Sequence, residues 1–234
     1  MKLFIYIKER STRLPGKNFM VLPNGEPLWK HTMLAFAGWD IFVDTDSEAI
    51  LCDLKADARL AHVTGYLRAP EHSRSEGMGL SNPVVDMTDR FIAERVTDPD
   101  EPLAVTHVTS PFIKPDTIRR GMKQMQDVGY DSVLSVDVIQ NHMFRRGGGD
   151  PEFIPVNFDS RFIPRTQDLE PIFILNHAFY AFTARSFGKW HGRIGEKPLL
   201  SPLEWPENVD IDTERDWRVM LAVWQSCYGS GSSG

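Results

Sequence analysis

The chain has little cysteine: Cys52 and Cys227 are two in 234 residues, far apart. That excludes a disulfide framework and any cysteine-based metal motif. Long apolar runs are missing too. The first run, Leu3 to Ile7, is too short for a signal peptide, and no stretch reaches membrane-spanning length, so a cytoplasmic protein with no membrane partner is expected. Nor is there an excess of positive charge. The 26 lysines and arginines against 32 aspartates and glutamates leave a formal net charge of −6, which argues against nucleic acid as a partner. Internal repeats and heptads are absent. What remains is an ordinary globular balance, 41% hydrophobic and 25% charged, enough for one large domain with a real core. Residues 1–228 are expected to form that domain. Gly229 to Gly234, all glycine and serine, read as a linker or appended tail outside the fold.

Against this acidic background one basic loop stands out. The run Leu3-Phe4-Ile5-Tyr6-Ile7 suits a single buried strand. Directly after it come Lys8, Arg10, Arg13 and Lys17, with Pro15-Gly16 marking a turn. In open α/β sheets ligands bind at the carboxyl ends of strands, and backbone N–H groups in such a loop add donors for phosphate oxygens. Charge alone also fits a solvated basic loop.

The rest of the chain alternates through residue 137. A helix is expected from Pro27 to about Gly38, a strand at Ile41-Phe42-Val43, and a helix over about 47–58 capped by Asp46 or, less simply, Ser47. A strand near His62 to Leu67 precedes a polar loop over 70–82, and Pro83 opens a helix to about Val96. Leu103 to Val108 is a buried-strand candidate, Pro115 starts a helix to about Asp127, and Asp131 to Val136 is the next strand. This alternation predicts a mostly parallel sheet with helices on both faces. Beyond residue 137 the rhythm breaks. Residues 142–168 are rich in glycine, proline and aromatics, with Gly147 to Gly149 as a hairpin tip. Phe173 to Phe182 is apolar enough for a central strand. A polar Gly- and Pro-rich stretch then leads to Val209-Asp210-Ile211-Asp212, and a last helix runs from Thr213 to about Cys227.

Three small groups carry further chemistry. Asp210 and Asp212 are two residues apart in what reads as a strand end, so both carboxylates leave from one face. Mg²⁺ takes one or two carboxylates plus phosphate oxygens. Helix capping competes: Asp212 or Thr213 suits the cap, with Asp216 at capping-box spacing. The metal reading is taken for Asp210 and Asp212, and capping for Asp216. Thr109-Ser110-Pro111 ends a strand in the same crevice as the basic loop. Arg68 follows another strand end, where it is either a ligand contact or a surface arginine.

The residue order adds a resemblance. Ser11-Thr12-Arg13-Leu14-Pro15-Gly16-Lys17 resembles the signature loop of the cytidylyltransferases that activate acidic sugars, its first half like the deoxy-manno-octulosonate (KDO) enzymes and its Pro15-Gly16-Lys17-Asn18 ending like the acylneuraminate enzymes. Arg165-Thr166-Gln167-Asp168-Leu169 with Asn176 to Tyr180, and Asp210 to Asp216, are similar to two further family blocks. The resemblance implies a Rossmann-like nucleotide-diphospho-sugar transferase fold with a small protruding dimerisation element at about 138–170, and a homodimer. Phe144, Phe153, Phe158 and Phe162 are the aromatic surface such an interface would use. It implies that Lys8, Arg10, Ser11, Arg13, Lys17 and Asn18 hold the triphosphate of CTP, that Arg68 with Ser81 or Asn82 reads the cytosine, and that Asp210 and Asp212 hold Mg²⁺. His107, Thr109, Ser110, Arg161, Arg165, Gln167, Asn176 and Tyr180 then fall at the acceptor. Arg161 and Arg165 fit a carboxylate clamp or a salt bridge equally well. Four positions depart from the family pattern: Lys8 for arginine, Glu9 beside it, His107-Val108 for Gln-Pro, and His177 for glycine.

The expected reaction is nucleotidyl transfer, with CMP passing from CTP to an acidic acceptor (a nonulosonate, KDO or a phosphonate) and pyrophosphate leaving. Lys17, Arg13, Lys8 and Asp212 would carry the catalysis. A metal-dependent glycosyltransferase and a catalytically silent nucleotide-binding module are the alternatives.

Overall fold

The computed structural model describes residues 1–73, 83–149 and 152–229. In chain order, β1 (Lys2–Ile7), α1 (Leu28–Ala35), β2 (Asp40–Thr45), α2 (Glu48–Ala56) and β3 (Val63–Leu67) alternate. A single helical turn, α3 (Pro70–Ser73), and α4 (Pro83–Arg95) lead to β4 (Pro102–Thr106), α5 (Pro115–Val128) and β5 (Ser132–Ile139). A hairpin of β6 (Phe144–Arg146) and β7 (Phe153–Pro155) interrupts the pattern. Then follow β8 (Ile172–Thr183), α6 (Ala184–Trp190), β9 (Pro198–Pro202) and α7 (Glu214–Tyr228).

Seven strands form one sheet in the order β3-β2-β1-β4-β8-β5-β9, with β6 and β7 apart from it. Within this sheet β8 runs antiparallel to both neighbours and every other pair is parallel. A parallel sheet must be covered on both faces, and the central strand shows it: Leu3, Phe4, Ile5 and Ile7 are all buried. One face packs against α1, α2 and α5 through Trp29, Leu54 and Met122. The other packs against α4 and α6 through Met87, Phe91 and Phe187. Helix α7 sets Trp217, Met220 and Trp224 against Leu22, Phe112 and Ile211.

Three expectations change. The Gly- and Pro-rich stretch holds α6 and β9, both short. Strand β9 has proline at each end and lies at the sheet edge, where a missing N–H costs nothing. The segment Val209 to Asp212 is extended but outside the sheet, tied to it by the Ile211 N–H donating to Thr109 O at 2.9 Å. The loop expected over 70–82 begins with the turn α3, and residues 74–82 lie outside the described residues.

Strand β8 is the irregular strand of the sheet. Leu134 faces Tyr180 but Val136 faces Leu175, so β8 carries extra residues as a bulge. Polar side chains take the backbone groups this frees. Ser135 Oγ accepts from Phe179 N–H at 2.9 Å, Thr106 Oγ1 donates to Ala178 O at 2.8 Å, and Asn176 Oδ1 accepts from Ala178 N–H at 3.2 Å. The bulge turns His177 out of the strand at φ 62°. Bulges re-aim side chains in this way next to ligand sites. Ser135→Ala would leave a buried N–H without an acceptor, and we expect urea denaturation to show a loss of about 1–3 kcal/mol.

Candidate active site

A cleft of about 560 Å³ opens where the chain leaves β1, β3 and β4. The basic loop forms one wall, with Lys8, Arg10, Ser11, Arg13, Lys17 and Asn18 all lining it. Gly16 allows the turn at φ 72°, and Lys17 begins a single 3-10 turn after it. Two hydrogen bonds close the loop. Asn18 Nδ2 donates to Lys8 O at 2.7 Å, and Glu9 N–H donates to Asp46 Oδ1 at 2.7 Å. Asp46 was expected to cap α2. Ser47 holds the cap position there, and the Asp46 carboxylate is spent on the loop instead. Glu9 therefore serves the loop through its backbone.

Asp210 and Asp212 form the facing wall. They alternate with buried Val209 and Ile211, so the extended segment turns both carboxylates to the cleft. Asp212 pairs with Arg13 at 2.7 Å and Lys17 at 3.0 Å, and Lys17 also donates to Ile211 O at 2.8 Å. Burial raises the Asp210 pKa above the ordinary carboxylate range, and the Asp212 charge adds to the shift against a hydrogen bond from Thr109. Asp216 completes a capping box with Thr213 at the start of α7, which holds this segment in place. Among the described residues no group of three or more His, Cys, Asp or Glu is placed to hold a metal. Mg²⁺ needs only one or two carboxylates, and a buried carboxylate beside a like charge is a setting a dication would relieve. The pair fits that ion.

Arg68 lies at the other end of the loop wall, fully buried. Its Nε donates to Asp44 Oδ1 at 2.6 Å and its Nη2 to Asp44 O at 2.9 Å. Its Nη1 is buried with no partner among the described residues, although the residue lines the cleft. A buried charged donor left unmade is expensive, so this nitrogen points to a ligand. Ser81 and Asn82 lie outside the described residues.

At the remaining wall are two residues that sequence reasoning missed, Tyr6 in the lining and Arg193 behind it. Tyr6 lines the cleft, with its hydroxyl 3.0 Å from His107 Nε2 and accepting from Arg193 Nη1 at 3.1 Å. Arg193 also lies 4.0 Å from the Tyr180 ring centre. His177 lines the cleft and shares a hydrogen bond with the Tyr180 hydroxyl. Burial, with the Arg193 charge nearby, lowers the His107 pKa to about 3, so its imidazole is neutral at physiological pH. Tyr6 carried a signal, since it ends the first strand on the same face as Phe4. Arg193 carried none: it sits in an irregular stretch with no motif around it.

Several expected acceptor residues do not reach the cleft. Ser110 is buried, with its N–H on His107 O at 3.2 Å. Arg161 and Arg165 are exposed and forked onto Asp159 and Asp168. An aspartate two or three residues away captures each guanidinium, a local pair in place of the inter-strand or intersubunit bridge that was the alternative to a clamp. Gln167 offers its backbone carbonyl to Gln140, Asn176 donates to Asp137, and Tyr180 is buried behind His177.

No family model matches the chain. A CMP-N,N'-diacetyllegionaminic acid synthase from Legionella pneumophila is 30% identical over 233 residues, covering 93% of this chain and 94% of that one. The chain belongs to the acylneuraminate-type cytidylyltransferase family. An N-acylneuraminate cytidylyltransferase from Oncorhynchus mykiss is 27% identical, and its A form from Danio rerio is 28% identical. The chain spans about half of each fish protein, 46% and 47% of their lengths. Among solved structures, a CMP:2-keto-3-deoxy-manno-octonic acid synthetase complexed with CTP matches over 96% of this chain and 98% of its own, at TM-score 0.61 and 16% identity. A 4-diphosphocytidyl-2C-methyl-D-erythritol synthase from Anaerococcus prevotii matches over 95% and 98%, at TM-score 0.61 and 13% identity. These structures share the Rossmann-like nucleotidyltransferase fold. Within the family pattern, the positive φ of His177 explains why glycine is the usual residue there: glycine adopts that conformation freely.

The neutral state of His107 has a consequence for stability. Its pKa in the folded chain, about 3, lies below the ordinary 6.5, so the unfolded chain binds the extra proton. The contribution to stability is full above pH 6.5 and is lost as pH falls toward 3. We expect His107→Gln to lose less stability than the parent protein between pH 6.5 and 4, measured by urea denaturation at each pH.

Proposed function

We propose that the protein transfers CMP from CTP to an acidic sugar and releases pyrophosphate. The observation that carries this is the meeting, in one cleft, of the basic loop, the unspent Arg68 nitrogen and the Asp210–Asp212 pair. The activities named for the relatives, acylneuraminate cytidylyltransferase and CMP-N,N'-diacetyllegionaminic acid synthase, support the same reading. Arg68 Nη1 would meet an acceptor atom on the cytosine edge, held in plane by Asp44. The buried Asn18 Oδ1, which has no partner among the described residues, would accept from a ribose hydroxyl. Arg13 and Lys17 would exchange the Asp212 carboxylate for phosphate oxygens, and Asp210 and Asp212 would be left to hold Mg²⁺. Bound there, Mg²⁺ supplies charge stabilisation on the triphosphate.

The acceptor oxygen attacks the α-phosphorus of CTP. The bond to the bridging oxygen breaks, pyrophosphate leaves, and the hydroxyl proton passes to water. Release of pyrophosphate separates this reaction from glycosyl transfer. Lys17 meets the charge that grows on the leaving group, so its contribution appears in kcat. Arg68 touches a base that does not change, so its contribution appears in KM for CTP. In steady-state kinetics we expect Lys17→Ala and Asp212→Asn to lower kcat by about 100- to 1,000-fold with thermal melting near that of the parent. Arg68→Lys keeps a charge opposite Asp44 and should mainly raise KM for CTP, by about tenfold. Parent-like kcat in both Lys17→Ala and Asp212→Asn would refute the assignment.

The reading includes a homodimer through the β6–β7 region. Phe144, Phe153, Phe162 and Ile163 are 56%, 57%, 74% and 69% exposed there, an apolar surface unusual on a monomer. Light scattering at micromolar concentration should give the mass of two chains, and Phe162→Glu should shift it toward one. A cytoplasmic location fits the supply of CTP and the two free thiols, Cys52 and Cys227.

A further inference from the structure

Arg193 is half-buried and, among the described residues, bonds only to the Tyr6 hydroxyl and the Tyr180 ring; no carboxylate pairs with it. A guanidinium withdrawn from water without a counter-ion calls for an anion. Its bond to Tyr6 also settles where the neighbouring protons sit. Arginine only donates, so the Tyr6 hydroxyl accepts from Arg193 and its single hydrogen goes to His107 Nε2. A neutral imidazole accepting at Nε2 carries its own proton on Nδ1. We assign the hydrogen shared by Tyr180 and His177 to the phenol, donating to Nδ1, which leaves the His177 ring N–H at Nε2. Neither outward N–H has a partner among the described residues. This end of the cleft therefore presents two N–H donors with a positive charge behind them.

We infer that His107 and His177 bind the carboxylate of the acceptor, with Arg193 as a positioning residue that orients the pair through Tyr6 and supplies the countercharge. The inference rests on the cytidylyl-transfer reading and adds which group of the acceptor is read, and by what. Charged acceptors suit such donors, whereas a carboxamide would set its own N–H against theirs. The two histidines are among the four positions where this chain departs from the family pattern, and both lie on this wall.

Calorimetry on the CTP-loaded full chain without divalent metal tests this in the absence of turnover. The probes are N-acetylneuraminic acid, KDO, and the C1 carboxamide of each. At least one acid should bind about tenfold or more tightly than its amide. Arg193→Met should remove that preference while leaving CTP affinity unchanged, which also reports its folding. Arg193→Lys should restore part of it. If Arg193→Met does not bind CTP, His177→Gly carries the test, since glycine suits the local backbone, and it should weaken the acid about fivefold or more with the amide unaffected. Equal binding of acid and amide, or a preference untouched in the folded variant, overturns the subsite. CTP binding with no acid bound overturns it while the nucleotide reading stands. Failure to bind CTP removes that reading and this inference together.

Discussion

The Lys17–Asp212 ion pair joins residues 195 positions apart, and the cleft depends on what holds each end of it. On one side the loop is closed by Asn18 and by Asp46 from the end of β2. On the other, Ile211 is fully buried against α7 and bonded through its N–H to Thr109, while Asp216 caps the helix behind it. Neither side would hold its geometry alone. A four-residue extended segment has no sheet partner to fix it, and a loop with four cations repels itself. The pair lets the two walls neutralise each other until an anion takes the cations and leaves the carboxylates.

The same logic recurs deeper in the sheet. Arg68 is fully buried, which only the Asp44 carboxylate and carbonyl make affordable. Pairing two of its donors fixes the plane of the guanidinium and leaves the third donor aimed at the cleft. A buried pair of this kind adds little net stability. Its yield is orientation.

On the opposite wall the device is a bulge. An antiparallel strand set between two parallel ones must pass the cleft, and the extra residues in β8 turn His177 toward it. Thr106, Ser135 and Asn176 satisfy the backbone groups that the bulge removes from the ladder. Polar residues inside apolar strands are costly unless bonded, so the presence of Thr106 in β4, Ser135 in β5 and Asn176 in β8 is explained by the bulge they serve. Arg193 then fills the space behind, between two tyrosines.

Local pattern sufficed wherever a residue's role depends on its neighbours in the chain. The apolar runs marked the strands, Pro83 and Pro115 marked helix starts, Thr213 and Asp216 marked a capping box, and the cations after β1 marked an anion site. The same-face spacing of Asp210 and Asp212 survived even though their segment is not in the sheet, because alternation follows from extended backbone and not from pairing. Tertiary structure decided everything that depends on partners far along the chain. Asp46 left its helix cap because Glu9 N–H comes within reach only in the folded sheet. Arg161 and Arg165, promising by type, are held by nearby aspartates outside the cleft. Tyr6 and Arg193 meet across 187 positions, with nothing in either local sequence to announce it. Period and charge are carried by short windows; a site assembled across sheet order is not, since only packing brings its members together.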